Sequence, residues 1–144
     1  MTYEFHMTRM VEFAETDMAG IMHFSNYFRF MEATEHAFFR SIGAAVHAQG
    51  EGEMRGWARV NATCTYKAPL KYQDVVDVQL LVGRKSARSI TYHFVFRRDR
   101  AAVAFGSMTA VCVERTPDDP TMRAAAMPAE IDSLITVAPD ELLE

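Results

Sequence analysis

Asp17 is the residue in this chain best placed to do chemistry. It lies in Glu15-Thr16-Asp17-Met18-Ala19-Gly20-Ile21-Met22-His23-Phe24-Ser25-Asn26-Tyr27, where a strand pattern ends, a glycine turn follows and a helix pattern begins. A helix start carries N–H groups without intrahelical partners and a partial positive charge, so it attracts an anion or a polarised carbonyl oxygen. A carboxylate beside such a start can serve as nucleophile or general base, and the N–H groups can hold an oxyanion. Together they are the minimum equipment for acyl hydrolysis. The expected donors are the backbone N–H groups around His23 and Phe24. The His23 side chain has two readings, substrate contact or a hydrogen bond to a backbone carbonyl near the turn.

The elements that must position Asp17 follow from periodicity. Residues 3–14 alternate, with Tyr3, Phe5, Met7, Arg9, Val11 and Phe13 on one side, and are expected to form a strand. Ser25 or Asn26 is the expected N-cap of a helix running to about Ile42, with Gly43 as its stop. Arg29, Glu32, His36 and Arg40 make one narrow polar stripe on it, and nearly everything else is apolar, so the helix must be wrapped. Residues 44–56 read as a helical turn and a Gly-rich loop. Strands are expected over 57–67, 74–84, 88–98 and 101–115, the last two joined as a hairpin at Arg98-Asp99-Arg100. A weak strand or helix is expected around 130–137, and 139–144 should fray. An antiparallel sheet curled around one central helix satisfies this order.

Bulk properties exclude several classes. The 144 residues suffice for one domain with a real core, and 49% hydrophobic with 24% charged residues is a globular composition. A net charge of −4 offers no basic excess for nucleic acid. No apolar run approaches the roughly 20 residues that span a bilayer, and the N-terminal stretch lacks a signal-peptide core. Cys64 and Cys112 fit neither a zinc spacing nor a redox pair, and read as reduced core thiols of a cytoplasmic protein.

The element order and the ETDMAGIMHFSNY segment resemble the hotdog-fold acyl-CoA thioesterases, in the branch of 4-hydroxybenzoyl-CoA thioesterase. The family pattern is an aromatic-rich strand, an acidic pair, two residues, Gly, a short variable stretch and Tyr on the helix. Here these positions are Glu15, Asp17, Gly20 and Tyr27. Two departures stand out. The first acidic position is Glu15, where many members have Asp, and some members carry His where this chain has Phe24, with His23 next door. The resemblance implies an α+β hotdog domain over residues 1–144, with about five strands around one long helix. It implies thioester hydrolysis with Asp17 as catalytic carboxylate, the turn at Phe24 as oxyanion site and Tyr27 as pocket wall. It implies an acyl-CoA substrate, no separate cofactor, and a homodimer or homotetramer with the pocket between subunits.

Other residues have two readings each. Gly20, Phe28, Met31 and Met54 join Tyr27 as candidates for the substrate pocket, though the apolar ones are equally core residues. The basic run Gly83-Arg84-Lys85-Ser86-Ala87-Arg88-Ser89 is either a solvated turn or a clamp on coenzyme A phosphates, with Arg84, Lys85, Arg88 and Ser89 as the contacts. Glu32, Glu35 and His36 invite a metal reading, but a surface pair of Glu32 with His36 is the simpler one. Val75 to Val82 is the expected edge strand, which a second copy would cover. Rival functions are a hotdog enoyl-CoA hydratase, whose Asp/His pair is not found here, and a non-catalytic acyl-CoA binding module.

Overall fold

The computed structural model describes residues 1–46, 48–49 and 54–144. The elements are β1 (Glu4–Met10), a 3-10 turn (Phe13–Glu15), α1 (Asn26–Ser41), β2 (Ala48–Gln49), β3 (Met54–Tyr66), β4 (Val75–Lys85), β5 (Ser89–Arg98), β6 (Ala101–Arg115), β7 (Arg123–Ala124), α2 (Ala129–Asp132) and α3 (Asp140–Leu143). The strands form one antiparallel sheet in the order β1-β4-β5-β6-β3-β2, with β7 also paired to β6. Five strands are long and two have only two residues. Part of the expected Gly-rich loop, residues 47 and 50–53, lies outside the described residues.

Alternation builds the inner face of the sheet. Val76, Val78 and Leu80 on β4, Ile90, Tyr92, Phe94 and Phe96 on β5, and Ala104, Met108, Ala110 and Cys112 on β6 are all buried. Helix α1 lies against them through Tyr27, Phe30, Met31, Thr34, Glu35, Phe38 and Phe39, a stripe at spacings of three and four. Its opposite side carries exposed Arg29, Glu32 and Arg40, as expected. Close contact is secured at Gly106, where a Cβ would stand 2.2 Å from Met31 Cε.

Bulges curl the sheet around the helix. Register shifts fall between Arg59 and Asn61 on β3 and between Val82 and Arg84 on β4. The extra residue on β4 is Gly83, whose added Cβ would meet the His93 ring at 2.1 Å. On β3 the extra residue, Val60, changes which side chains face the helix. Trp57 and Arg59 pair with buried Cys112 and Ala110, and beyond the bulge Ala62, Cys64 and Tyr66 pair with Met108, Gly106 and Ala104. Arg59 is thereby turned inward.

Two expectations are corrected here. The first strand stops at Met10, because the Glu15 side chain folds back onto the Glu12 N–H at 2.8 Å and closes a 3-10 turn. The segment Val75 to Val82 is an interior strand, flanked by β1 and β5, and so is no edge. Among the described residues the open edges are β1 and the stretch of β3 from Gly56 to Tyr66, beyond its short pairing with β2. The expected weak element around 130–137 is present as α2. Met127, Ile131, Ile135 and Ala138 are buried, Thr2 bridges Ile135, and α3 forms within 139–144 with no residue buried. The long helix and the curled sheet are the hotdog arrangement that the sequence predicts.

Candidate active site

Glu15 is the scaffold on which the site is hung. Its side chain is nearly buried and receives the Arg9 guanidinium at 3.3 Å, while Arg9 itself lies 4.4 Å from the Phe30 ring centroid. Its carbonyl accepts two hydrogen bonds, from the His23 N–H and from the Asn26 side-chain amide, both 2.8 Å long. The 3-10 turn is thus tied to the start of α1.

The residues between form a closed loop. Thr16 bridges Met22, the Asp17 N–H donates to the Ile21 carbonyl at 2.9 Å, and the Gly20 N–H donates to the Asp17 carbonyl at 2.9 Å. Gly20 sits at φ +82°, a left-handed conformation that glycine adopts without strain. Asp17 Oδ1 accepts the Ala19 N–H at 2.9 Å, and its second oxygen has no hydrogen bond among the described residues. Asp17 therefore leaves a tight loop, not a strand end, and one of its oxygens is free.

That loop forms one wall of an open cleft of about 430 Å³ lined by Asp17, Ile21, Met22, Phe24, Tyr27, Tyr66, Lys67, Ala68 and Pro69. The structure thus brings together Asp17, Phe24 and Tyr27 from the expected set. Burial raises the Tyr27 phenol pKa above its usual value, with a further push from Cys64. The two thiols are free, and burial likewise raises both of their pKa values, that of Cys64 to about 11.

The oxyanion donors divide. The His23 N–H is taken by Glu15, so it is no candidate, whereas the Phe24 N–H has no acceptor among the described residues. The His23 ring turns to Ser25, with Nδ1 2.7 Å from the hydroxyl, and stacks on Phe24 at 4.6 Å. Ser25 occupies the N-cap position, but its hydroxyl caps no helix N–H. The Asn26 and Tyr27 N–H groups at the start of α1 donate to the His23 and Phe24 carbonyls, at 2.9 and 3.4 Å, while the Phe24 N–H stays without an acceptor among the described residues.

Several expected contacts lie elsewhere. Met31 is fully buried against Gly106, Phe28 is half-buried outside the cleft, Gly20 shapes the loop without lining the cleft, and Met54 begins β3 at its far end. Lys85 is bound to the tail, with Nζ 2.7 Å from the Ile135 carbonyl and 2.7 Å from Asp132 Oδ1, and so is not a free phosphate contact. The Ser89 hydroxyl pairs with Ser86 at 2.7 Å. Arg84 and Arg88 are exposed. Their hairpin is remote from Asp17: Tyr66 stands in the row of Ala104, and Lys85 in the row of Ala110, about 20 Å apart along β6.

No group of three or more His, Cys, Asp or Glu close enough to hold a metal occurs among the described residues. Glu32 and His36 do not pair with each other. Arg59 Nη2 lies 3.8 Å from Glu32, and His36 Nε2 lies 3.9 Å from Glu35. Glu35, weighed in the sequence only as a possible metal ligand, is fully buried and pairs with the inward-facing Arg59. Tyr66 and Lys67 were also missed, because nothing in a β3 pattern marks which of its residues reaches a loop far away in sequence.

Comparison with known proteins follows this geometry. The thioesterase-like superfamily matches residues 11–135. A protein of Aquifex aeolicus (strain VF5), provisionally named an esterase, is 38% identical over 96 residues, covering 67% of this chain and 74% of its own. A solved Aquifex aeolicus structure of unassigned function superposes with a TM-score of 0.79 at 29% identity, covering 92% of this chain and 99% of the other. A 1,4-dihydroxy-2-naphthoyl-CoA thioesterase from Synechocystis gives a TM-score of 0.79 at 20% identity, covering 91% and 94%. The 4-hydroxybenzoyl-CoA thioesterase of Pseudomonas sp. strain CBS-3 gives 0.78 at 20% identity, covering 92% and 99%. No helix among the described residues is long and apolar enough to cross a membrane. By the span of the family match and by its fold, the chain belongs to the thioesterase-like superfamily.

Proposed function

We propose that the chain hydrolyses an acyl-CoA thioester to the free acid and coenzyme A. The observation that carries this reading is the cleft in which a carboxylate with one free oxygen, Asp17, shares a wall with Phe24, whose N–H is unclaimed at the start of α1. The acyl group would lie against Phe24, Tyr27 and Tyr66, with its carbonyl oxygen on the Phe24 N–H. Asp17 would either attack the carbonyl carbon and displace the thiolate, leaving a mixed anhydride that water then hydrolyses to the free acid and Asp17, or take a proton from water as that water attacks. In both routes negative charge grows on the carbonyl oxygen, the N–H holds it, and its collapse breaks the C–S bond and releases the thiolate. The test is a panel of aryl and fatty acyl-CoA thioesters read by free-thiol release. Turnover of at least one supports the reading, and saturable binding of the panel without turnover makes the chain a binding module.

Assembly belongs to the same proposal. The open edge of β3 exposes unpaired backbone groups and Val60, and a second copy pairing there antiparallel would remove that edge. Such pairing sets the Tyr66 end of one sheet beside the Met54 end of the other. It brings the Arg84–Arg88 hairpin of the second copy to the side of the first copy's cleft. The nucleotide of coenzyme A would then be held across the dimer. Sedimentation at micromolar concentration should show a dimer or larger, and a fully active monomer would contradict the shared cleft. Arg88→Ala should raise KM by up to about tenfold with little change in kcat, because a phosphate contact is equal in ground and transition states. A short thioester lacking the nucleotide should be hydrolysed equally well by both proteins. Equal losses on both substrates would make the cluster structural.

A further inference from the structure

The peptide that follows the proposed oxyanion donor is held by a residue with no part in the family motif. Tyr66 ends β3 and lines the same cleft as Asp17. Its hydroxyl donates to the Phe24 carbonyl at 3.2 Å, across 42 residues of sequence. The Tyr66 ring is in turn fixed edge-on by Tyr27 at 4.8 Å, and Tyr27 packs edge-on against Phe96 at 5.3 Å. The Tyr27 N–H reaches the same Phe24 carbonyl only at 3.4 Å, a weak bond. The peptide that carries the Phe24 N–H is tied through the His23 carbonyl, which accepts the Asn26 N–H at 2.9 Å, while Phe24 itself is 61% exposed and lies two residues before the first helical one.

A carbonyl anchored from one side constrains the peptide groups on either side of it, the preceding N–H included. We infer that Tyr66 is a positioning residue that orients the Phe24 backbone so that its N–H faces the reacting carbonyl oxygen. The inference rests on the proposed hydrolysis for its purpose and on the hydrogen bond for its geometry. A phenol is a donor at neutral pH, so the anchor is in place where the enzyme would work. Oxyanion donors act through fixed orientation, and a small misplacement is costly. The Asn26 N–H holds the donor's own peptide through the His23 carbonyl, and Tyr66 holds the peptide that follows. The anchor also sits on the strand whose edge is open to a second copy, so dimer formation and donor orientation share one element.

The test is Tyr66→Phe, which removes one oxygen and keeps the ring against Tyr27. Two readouts separate the inference from the reaction on which it rests. By amide relaxation measured on the labelled protein, the Phe24 N–H should be ordered in the wild type and mobile in Y66F, with melting temperature unchanged. Identical relaxation in the two proteins overturns the inference whatever the reaction is. On a hydrolysed thioester, Y66F should lower kcat roughly tenfold and leave KM within about twofold. A rise in KM at constant kcat would make the hydroxyl a substrate contact and overturn the positioning role, and an unchanged kcat would do the same.

Discussion

Replacing Asp17 by Asn should lower thioester turnover by at least about a hundredfold, the low end of what a positioned acid–base group supplies. The substitution isolates the chemistry because it spares the loop. An Asn carbonyl can still accept the Ala19 N–H that now bonds to Oδ1, and the backbone bonds of Asp17 to Ile21 and Gly20 are unaffected. What is lost is the charge and basicity of the free oxygen facing the cleft. Binding should persist, since the aromatic wall of Phe24, Tyr27 and Tyr66 is untouched. Stability should be unchanged by denaturant titration. A D17N protein that kept more than a tenth of wild-type turnover would move the catalytic role to another group.

The second large effect concerns stability. Arg59→Met should destabilise the protein by about 3 kcal/mol at pH 8, because it strands a buried carboxylate. Glu35 is fully buried on α1, its Oε1 bound by Arg59, while its Oε2 and the Tyr92 hydroxyl are buried without partners among the described residues. Burial raises the Glu35 pKa from 4.5 to about 7, with Glu32 pushing the same way, and together they outweigh the pull of Arg59. His36 faces the pair from the same helix, its own pKa lowered by burial. The folded protein therefore holds a proton that the unfolded chain gives up between pH 4.5 and 7. Stability from this group is complete below about pH 4.5 and is lost as pH rises through 7, a change of about 3 kcal/mol. Arg59→Met removes the one influence that lowers the Glu35 pKa, so its penalty should be small at pH 5 and large at pH 8. Glu35→Gln should flatten the fall with pH, and the double variant should recover much of the loss. Denaturant curves at the two pH values check this, and parallel losses for Arg59→Met at both would contradict it.

What the sequence displayed and what it concealed have physical reasons. The helix from Asn26 to Ser41 and the Arg98–Asp99–Arg100 hairpin were legible, because periodicity and turn residues are local signals. Asp17, Gly20 and Tyr27 were legible as a motif. Glu35 was not, since a charged residue on a helix ordinarily faces water, and its partner points inward only because of the bulge at Val60. The interior place of β4 was concealed because strand order is set by pairing between distant segments, and an apolar run reads alike at an edge or in the middle. The loss of the His23 donor and the gain of Tyr66 arise from bonds to Glu15 and Phe24, which spacing alone does not reveal.

The measurement closest to the central claim is thiol release from an equimolar mixture of the chain and its best acyl-CoA, followed beside equilibrium binding of the same thioester. The account predicts one thiol and one free acid released per cleft in the wild type, and in D17N comparable binding with the thioester left largely intact on the same timescale. Tight binding with no thiol released by the wild type, or equal release by both proteins, would contradict it.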